Sequence, residues 1–318
     1  AEVLGAESPD EVEYVCSGIN HQTWYVDIRF RGRRIGSEEL LAAFERHPKY
    51  RETEKVRIDV LRRFGFYSTE SNGHLSEYLP WYRKRPDEIN RWIDLSNWIN
   101  GETGGYLRVC TERRDWFQTD FPRWLAEAGA PLETYARTDE HASYIIEGLE
   151  TGRVYRGHFN VLNRGLVTNL PPDCIVETPG FVDRFGLNMV AGIELPMGCA
   201  ATCNVSVGVQ RMAVKAAVTG DVDLLRLAVL HDPLVGAVCN PEEVWQMVDE
   251  MLVAQAQWLP QYAHAMPAAK ERLAGAKLPT REWAGAARLA VRNVEELRAA
   301  GPDRILQAEK VAPAAARA

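Results

Sequence analysis

The side chain best suited to chemistry near the amino end is the imidazole of His21. It follows Asn20, a residue that can bend or cap the chain. Residues 14–25 are rich in β-favouring and bulky side chains around a small-residue break at Ser17 and Gly18, so the segment is predicted to open as a strand. A neutral imidazole at a strand end is a common metal ligand and a common acid–base group. A core histidine that hydrogen-bonds to the backbone is the alternative, and it is the commoner arrangement for a lone histidine.

The second segment of chemical interest is 66–82, which reads F-Y-S-T-E-S-N-G-H-L-S-E-Y-L-P-W-Y. It is dense in hydroxyls, carboxylates and aromatic rings, a composition that is rare in core segments. Sugar-binding loops combine such residues, because aromatic faces stack on sugar rings while sugar hydroxyls need fixed polar partners. We therefore predict a sugar-binding loop here, and a solvated loop with aromatic anchors is the alternative.

The cysteines do not form a disulfide framework or a C-x-x-C pair. They are Cys16, Cys110, Cys174, Cys199, Cys203 and Cys239. This pattern predicts reduced thiols and a cytoplasmic protein. Cys16 and His21 are five apart, so on a straight strand they would point to opposite faces, and Cys16 is expected to be buried and structural. Cys199 and Cys203 would share one face of a helix, where we expect them to serve packing.

Composition places the chain among ordinary soluble globular proteins, with 318 residues, 46% hydrophobic and 25% charged. A formal net charge of -7 and a pI near 5.6 argue against nucleic acid or an anionic membrane as a partner. No apolar run is long enough to span a bilayer, and no signal peptide opens the sequence. The chain begins at Ala1 without an initiator methionine, so it is interpreted as a fragment or truncated product.

Apolar spacing in the first half predicts helices. Residues 37–64 carry a helical apolar stripe that Pro48 should break, and Gly65 stands where a helix would end. A short helix is predicted at 86–100 and a further one at 113–128, interrupted near its proline.

The spacing then changes to short runs separated by turn residues, which predicts an antiparallel meander of strands at 142–149, 153–162, 165–169 and 174–178. Helices follow at 200–218 and 221–230, and Asn240 provides an N-cap for a third that runs to about Trp258. Alanine-rich helical pieces and a frayed tail at 311–318 are expected after Pro260.

Four separated blocks, in order, resemble glycoside hydrolase family 4, and most closely its α-galactosidase/α-glucosidase branch. They are C-S-G-I-N-H-Q-T-W-Y (16–25), the block 65–81, the block G-H-F-N-V-L-N-R-G-L-V-T-N-L-P-P-D-C-I-V-E (157–177) and H-D-P-L-V-G-A-V (231–238). The resemblance covers about residues 10–260. It implies an α+β fold: the substrate half of a lactate/malate-dehydrogenase-like two-domain enzyme, with a mainly antiparallel sheet packed with helices.

The resemblance assigns residues 1–262 to the catalytic, substrate-binding domain and 263–318 to a helical extension and tail. The family's glycine-rich nucleotide (Rossmann) domain precedes these blocks, and we expect it to be absent from this chain, since no G-x-G-x-x-G follows a strand here. The family's metal-binding cysteine also lies upstream of the N-H-x-x-W block.

The chemistry that the resemblance implies is redox-assisted elimination, unlike the two-carboxylate mechanism of most glycosidases. NAD takes a hydride from C3 of the sugar and makes the C2 proton acidic, while a divalent metal, usually Mn²⁺, polarises the C2 and C3 oxygens. A base removes the C2 proton, the aglycone leaves from C1, water adds, and the hydride returns. The expected substrate is an α-galactoside or α-glucoside, as a small oligosaccharide or other glycoside.

The resemblance also assigns residues. His21 matches the metal-binding histidine, and Tyr78 lies in the block where the base is expected, a role that a phenol can fill if a nearby metal lowers its pKa. Glu70, His74 and Glu77 are rival candidates or substrate ligands. The full set of expected substrate-binding residues is Asn20, Glu70, His74, Glu77, Asn163 and Asn169. No residues that bind NAD are identified.

Two other functions stay open at this point. One is a catalytically incomplete fragment that binds sugar without turnover. The other is a 2-hydroxy-acid dehydrogenase-like oxidoreductase, which would need a histidine with an aspartate partner and an arginine for the substrate carboxylate, and no convincing set is present. Family subunits associate, so a homo-oligomer is expected, with helices 200–218 and 241–258 as candidate contact surfaces, although burial in their own core is the simpler assumption.

Overall fold

The computed structural model describes residues 1–93, 118, 120–127, 137, 140–275, 278, 293 and 295–296. The chain divides into two compact units. One comprises Ala1–Thr103 with Arg137–Ala287, and the other comprises Gly104–Ala136 with Arg288–Ala318. The division expected from the resemblance, at residue 262, stays a prediction.

The first unit is built on one antiparallel sheet. Its strands are β1 (Val12–Ile19), β2 (Gln22–Phe30), β3 (Arg33–Arg34), β4 (Tyr155–Leu162), β5 (Ile175–Asp183) and β6 (Gly186–Met189). They lie in the order β3-β2-β1-β5-β4, and β6 pairs with β5. The amino-terminal hairpin is thus joined to the β4–β5 hairpin at the centre of the sheet, through the pair Gly18–Glu177.

Helices cover this sheet and extend beyond it. They are α1 (Ser37–Arg46), α2 (Tyr50–Thr53), α3 (Lys55–Phe64), α4 (Asn72–Tyr78), α5 (Ile89–Trp92), α6 (Asp120–Glu127), α7 (His141–Thr151), α8 (Met197–Thr219), α9 (Val222–His231), α10 (Pro233–Val238), α11 (Pro241–Ala254) and α12 (Met266–Ala274). Short 3₁₀ turns lie at Glu2–Leu4, Pro9–Glu11, Pro86–Glu88, Ala256–Trp258 and Pro260–Ala265. The helix α6 belongs to the second unit, and the other elements belong to the first. Sheet and helices together confirm the predicted α+β class.

The main core lies between the sheet and α3, α4 and α8. Trp24 at its centre is fully buried and stacks on Phe64, with ring centroids 5.6 Å apart. Cys199 and Cys203 both face this core with no exposed surface, which confirms that α8 uses them for packing. A separate apolar cluster joins α9, α11 and α12. Among the described residues, no helix combines the length and the hydropathy that a membrane crossing requires.

Several predicted elements are confirmed. The opening strand continues through a turn into a second strand, the predicted helix 37–64 is interrupted around Pro48, and Gly65 ends α3 with φ 74°. Helices α8 and α9 match 200–218 and 221–230 closely. Asn240 caps α11 in a full capping box with Glu243.

Other predictions are wrong or only partly tested. The segment 142–149 is not a strand but most of α7, where Gly148 lets the helix approach β5: an added Cβ would lie 3.1 Å from the Val182 carbonyl oxygen. The segment 165–169 is not a strand, because the Asn163 side chain folds it into a turn. Residues 66–82, predicted as a loop, contain α4. The predicted helix 86–100 is seen as a 3₁₀ turn and α5, and its remainder lies outside the described residues.

The predicted helix 113–128 is represented by α6. Pro122 lies in the first turn of this helix, where an amide hydrogen is not needed, so it does not interrupt the helix. The expected tail at 311–318 lies outside the described residues.

Candidate active site

A two-residue turn presents His21 at the tip of the β1–β2 hairpin. Asn20 and His21 form the turn between the paired residues Ile19 and Gln22, and both turn residues are exposed. His21 has φ 64°, in the left-handed region, at the second position of the turn. Gly18 is needed just before the turn, since a Cβ there would lie 2.1 Å from the Gln22 carbonyl oxygen. The imidazole therefore projects from a rigid strand end, with its side chain 46% exposed.

The same turn separates His21 from Cys16. The thiol is buried on β1, as predicted, and burial raises its pKa, so the metal-binding thiolate form is disfavoured. The structure supports a structural role for Cys16.

Glu70 contacts His21 from the segment that follows α3. This segment returns along β2: the Tyr25 amide donates to the Tyr67 carbonyl at 2.9 Å, and the Thr69 amide donates to the Thr23 carbonyl at 3.1 Å. At the end of this short pairing, Oε2 of Glu70 lies against Nδ1 of His21. Burial by itself raises the pKa of Glu70, but hydrogen bonds from the Ser71 amide and from His21 outweigh it and lower the pKa. Glu70 is therefore an ionised partner of the imidazole.

Helix α4 brings three further predicted residues to the same place. Ser71 caps the helix by accepting a hydrogen bond from the His74 amide, and His74 and Tyr78 lie one turn apart on one face. The His21 ring lies 5.8 Å from the His74 ring and stacks on Tyr78 at 6.0 Å. Nδ1 of His74 lies 3.6 Å from Oε2 of Glu77. Five of the eight predicted site residues thus converge, and a sixth, Asn20, adjoins them in the turn.

The electrostatic environment of Tyr78 opposes loss of its proton. Burial raises the pKa of the phenol, and the carboxylates of Glu70, Glu77 and Asp232 raise it further. A phenol that acts as a base must first be ionised, so it needs a nearby positive charge. A cation bound at His21 would supply that charge on the face where the two rings stack.

Asn163 and Asn169 lie elsewhere and support the backbone. Asn163 has no exposed surface, its amide donates to three carbonyls of its own loop, and its Oδ1 accepts from the Val167 amide at 2.7 Å. Asn169 pairs with both backbone groups of Leu195, at 2.7 and 3.1 Å. The structure gives both asparagines a structural role, and neither joins the cluster around His21.

Two carboxylates near this cluster were not among the residues predicted from the sequence. Glu177 pairs with Gly18 across the sheet; burial raises the pKa of its carboxyl, while His21 lowers it and Glu70 raises it. Asp232 caps α10 by accepting from the Leu234 and Val235 amides, each at 3.0 Å. Each is in one of the four blocks, but only the fold shows that they face the site.

The residues around His21 fit one side of a metal site. A metal-binding histidine usually holds its second nitrogen against a carboxylate, and Glu70 occupies Nδ1 in this way and leaves Nε2 for an ion. The described residues contain no group of three or more histidine, cysteine or acidic side chains placed to hold a metal. They therefore supply one ligand and its orienting carboxylate, and the ion's other ligands would come from the substrate and from residues outside the described set.

Comparison with known proteins gives one family. Residues 16–235 match the model described as the family 4 glycosyl hydrolase C-terminal domain. An α-galactosidase of Rhizobium meliloti (strain 1021) is 72% identical over 94% of this chain and 61% of its own length. An α-galactosidase of Bacillus subtilis (strain 168) is 30% identical over 81% of this chain and 58% of its own length. The chain thus spans about three fifths of the length of these relatives.

Solved structures share the fold. A Bacillus subtilis protein described as a glucosidase superposes with a TM-score of 0.62 at 24% identity, covering 79% of this chain and 58% of that one. A 6-phospho-α-glucosidase from gut microorganisms, in complex with NAD and Mn²⁺, gives a TM-score of 0.57 at 17% identity, covering 81% of this chain and 58% of that one.

Proposed function

The chain belongs to family 4 of the glycosyl hydrolases, as its four sequence blocks predicted, and from this membership we propose that the protein hydrolyses α-galactosides with the help of NAD and a divalent metal ion. The observation that carries the proposal is the convergence of His21, Glu70 and Tyr78, which come from a hairpin turn, a loop and a helix. Two α-galactosidases among its relatives support the galactoside, and an α-glucoside is the nearest alternative.

His21 would hold the metal ion through Nε2 while Glu70 keeps the ring oriented and raises its basicity. When bound, the ion supplies Lewis-acid polarisation of sugar oxygens, and NAD supplies a hydride acceptor. Mn²⁺ is the ion we propose, because it accepts nitrogen and oxygen ligands together and a related structure contains it.

Tyr78 is the proposed base. Its ring is held against His21, so a sugar ring bound beside His21 would present its C2 proton to the oxygen of Tyr78. The electron pair left on C2 forms the C1–C2 double bond as the bond from C1 to the leaving-group oxygen breaks. The packing of α4 against α3 fixes this geometry.

The remaining polar side chains around His21 would bind sugar hydroxyls. Glu77 and His74 lie one turn or less from Tyr78 on α4, and Asn20 is exposed beside His21. Charged and amide groups of this kind accept and donate the hydrogen bonds that fix the orientation of a pyranose. Asn163 and Asn169 are left out of the proposed site because the backbone already uses them.

We also propose that the protein associates with itself and that it is cytoplasmic. Val214 and Val218 on α8 are 64% and 79% exposed, one helical turn apart, and we propose that they meet a second copy of the protein. Five described cysteines are free thiols, which agrees with a cytoplasmic protein. We also propose a domain boundary at residue 262, with the catalytic, substrate-binding domain before it and the helical extension after it.

The test is hydrolysis of nitrophenyl α-galactoside and nitrophenyl α-glucoside by the complete enzyme, this chain together with the family's nucleotide-binding domain, with NAD and Mn²⁺ added or withheld. We expect turnover of the galactoside that needs both additions and stops with a chelator. Binding of galactosides without turnover would instead favour a sugar-binding module, and activity on 2-hydroxy acids would favour an oxidoreductase.

A further inference from the structure

A cavity of about 510 Å³ lies directly beside Tyr78. Its walls come from the ends of α3 and α4, the first part of α8 and the junction of α9 with α10. The volume is within the range of small-molecule sites in proteins. Because Tyr78 forms part of its wall and also stacks on His21, the cavity adjoins the cluster described above.

The walls are mostly apolar and include one open aromatic face. Trp81 is 50% exposed, and among the described aromatic residues its ring makes a tilted contact with Phe64, at 5.9 Å between ring centroids, and an edge contact with Tyr82. Val205 on α8 lines the cavity and is 49% exposed. An open indole beside aliphatic side chains is a surface on which a sugar ring can stack.

The side chains at the wall disfavour an anionic occupant. None of the described residues that line the cavity is a lysine or an arginine, and one of them, Asp232, is a carboxylate. His231 also lines it, and its Nδ1 donates to the Leu227 carbonyl oxygen at 2.8 Å, which leaves Nε2 of the neutral ring as an acceptor. A phosphate or carboxylate group would have no fixed positive partner here and would face Asp232.

Resting on the proposed function, we propose that this cavity is the subsite for the leaving group of the glycoside and that it takes a neutral sugar ring stacked on Trp81. If Tyr78 takes the proton from C2, then C1, one bond away, must lie beside Tyr78 too. The group that departs from C1 then extends past Tyr78, away from His21, and the cavity is the space that opens there.

The experiment compares two substrates with the same galactose: methyl α-galactoside, whose leaving group is small, and a disaccharide of galactose α-linked to glucose. Val205→Trp would fill the cavity, and Trp81→Leu would remove the stacking surface. Val190→Trp is the matched control, because it is the same change at a valine that is 45% exposed and does not line the cavity. The complete enzyme, this chain together with the family's nucleotide-binding domain, is assayed with NAD and Mn²⁺.

We expect Val205→Trp and Trp81→Leu to lower kcat/KM for the disaccharide about tenfold or more, and to change it less than about twofold for the methyl glycoside. Turnover of the methyl glycoside also shows that each variant is folded, and if one variant fails to fold the other decides. Equal losses of kcat/KM on both substrates, or no loss on the disaccharide, would overturn the assignment of this cavity as the leaving-group subsite. If the unaltered protein cleaves neither substrate, the proposed function itself fails.

A third substrate tests the charge of the subsite. The same disaccharide with a phosphate on the glucose should be cleaved at least about tenfold less efficiently than the neutral one, because the cavity offers no cation to the phosphate. Equal or better cleavage of the phosphorylated disaccharide would overturn the assignment of a neutral occupant.

Discussion

Nδ1 of His21 contacts Oε2 of Glu70, a residue 49 positions later in the chain. The contact joins a hairpin turn to the segment that leads into α4, so the orientation of the imidazole depends on both. The contact also gives the two ring nitrogens different roles: Nδ1 is bonded to a carboxylate, and Nε2 is left to bind an ion.

Replacing His21 by alanine should remove the metal ligand that the described residues supply. We expect binding of Mn²⁺, followed by titration calorimetry on the purified protein, to weaken by at least about a hundredfold, with loss of metal-dependent turnover. His264→Ala is the control, since that histidine is exposed on a 3₁₀ turn outside the cluster and its loss should leave binding unchanged. Wild-type rates in the His21 variant would contradict the assignment.

Replacing Glu70 by glutamine keeps the size of the side chain and removes its charge. Because a carboxylate behind a metal-binding histidine typically contributes ten- to hundredfold to affinity, we expect Mn²⁺ binding to weaken by about that factor while the fold is retained. Excess Mn²⁺ should restore part of the turnover in this variant but none in His21→Ala. Identical behaviour of the two variants would show that Glu70 does more than orient the ring.

Replacing Tyr78 by phenylalanine keeps the ring that stacks on His21 and removes only the hydroxyl. We expect kcat to fall by about 10² to 10⁴, as for the loss of a general base, with Mn²⁺ affinity nearly unchanged. Tyr14→Phe is a suitable control, because that phenol is 46% exposed on β1 and lies outside the cluster. A KM effect without a kcat effect would make Tyr78 a binding residue instead.

Asp249 holds a buried ion-pair network away from the site. It accepts from Arg226 at 2.7 Å and from Arg272 at 2.7 and 2.9 Å, and its side chain is 3% exposed. Asp249→Asn leaves the Arg226 guanidinium buried without its main partner, so we expect the free energy of unfolding in urea to fall by about 3 kcal/mol at neutral pH. Asp223→Asn, whose carboxylate is 87% exposed beside the same arginine, should cost less than about 0.5 kcal/mol.

The effect of Asp249→Asn should also depend on pH. Burial raises the pKa of Asp249, but the hydrogen bonds from Arg272 and Arg226 outweigh it and leave the pKa lowered in the folded protein. The contribution of Asp249 to the free energy of unfolding is therefore complete at pH values above the pKa of the group in the unfolded chain, about 3.9. It is lost as the pH falls through the lower pKa of the folded protein. The stability gap between the unaltered protein and the variant should narrow below about pH 4, and a gap constant with pH would contradict the ionised pair.

Local signals in the sequence predicted most of the helices. The capping box at Asn240 and the terminal Gly65 are such signals, because a cap depends on residues within one turn of it. The wrong prediction at 142–149 followed from Ile145 and Ile146, whose β propensity was outweighed by the packing of α7 on β5. Ser71 followed by Leu75 and Leu79 would have indicated α4.

The geometry of the site depends on contacts between distant segments, which a single sequence does not specify. Trp24 bridges to Ser68, and this pairing brings Glu70 to His21. Asn163 looked like a sugar ligand because an amide has the right chemistry, but its burial among backbone carbonyls is visible only in the fold. Glu177 and Asp232 were missed for the same reason.

The burial of the sulfur atoms has a practical consequence for labelling. Cys16, Cys199 and Cys203 are inside the core, and burial raises the pKa of all three, that of Cys203 to about 11. Alkylating reagents and peroxide attack thiolates, so these positions should resist modification while the fold is intact. Among the described cysteines, Cys239 at the end of α10 is the most accessible, and a maleimide dye would report on the junction between α10 and α11.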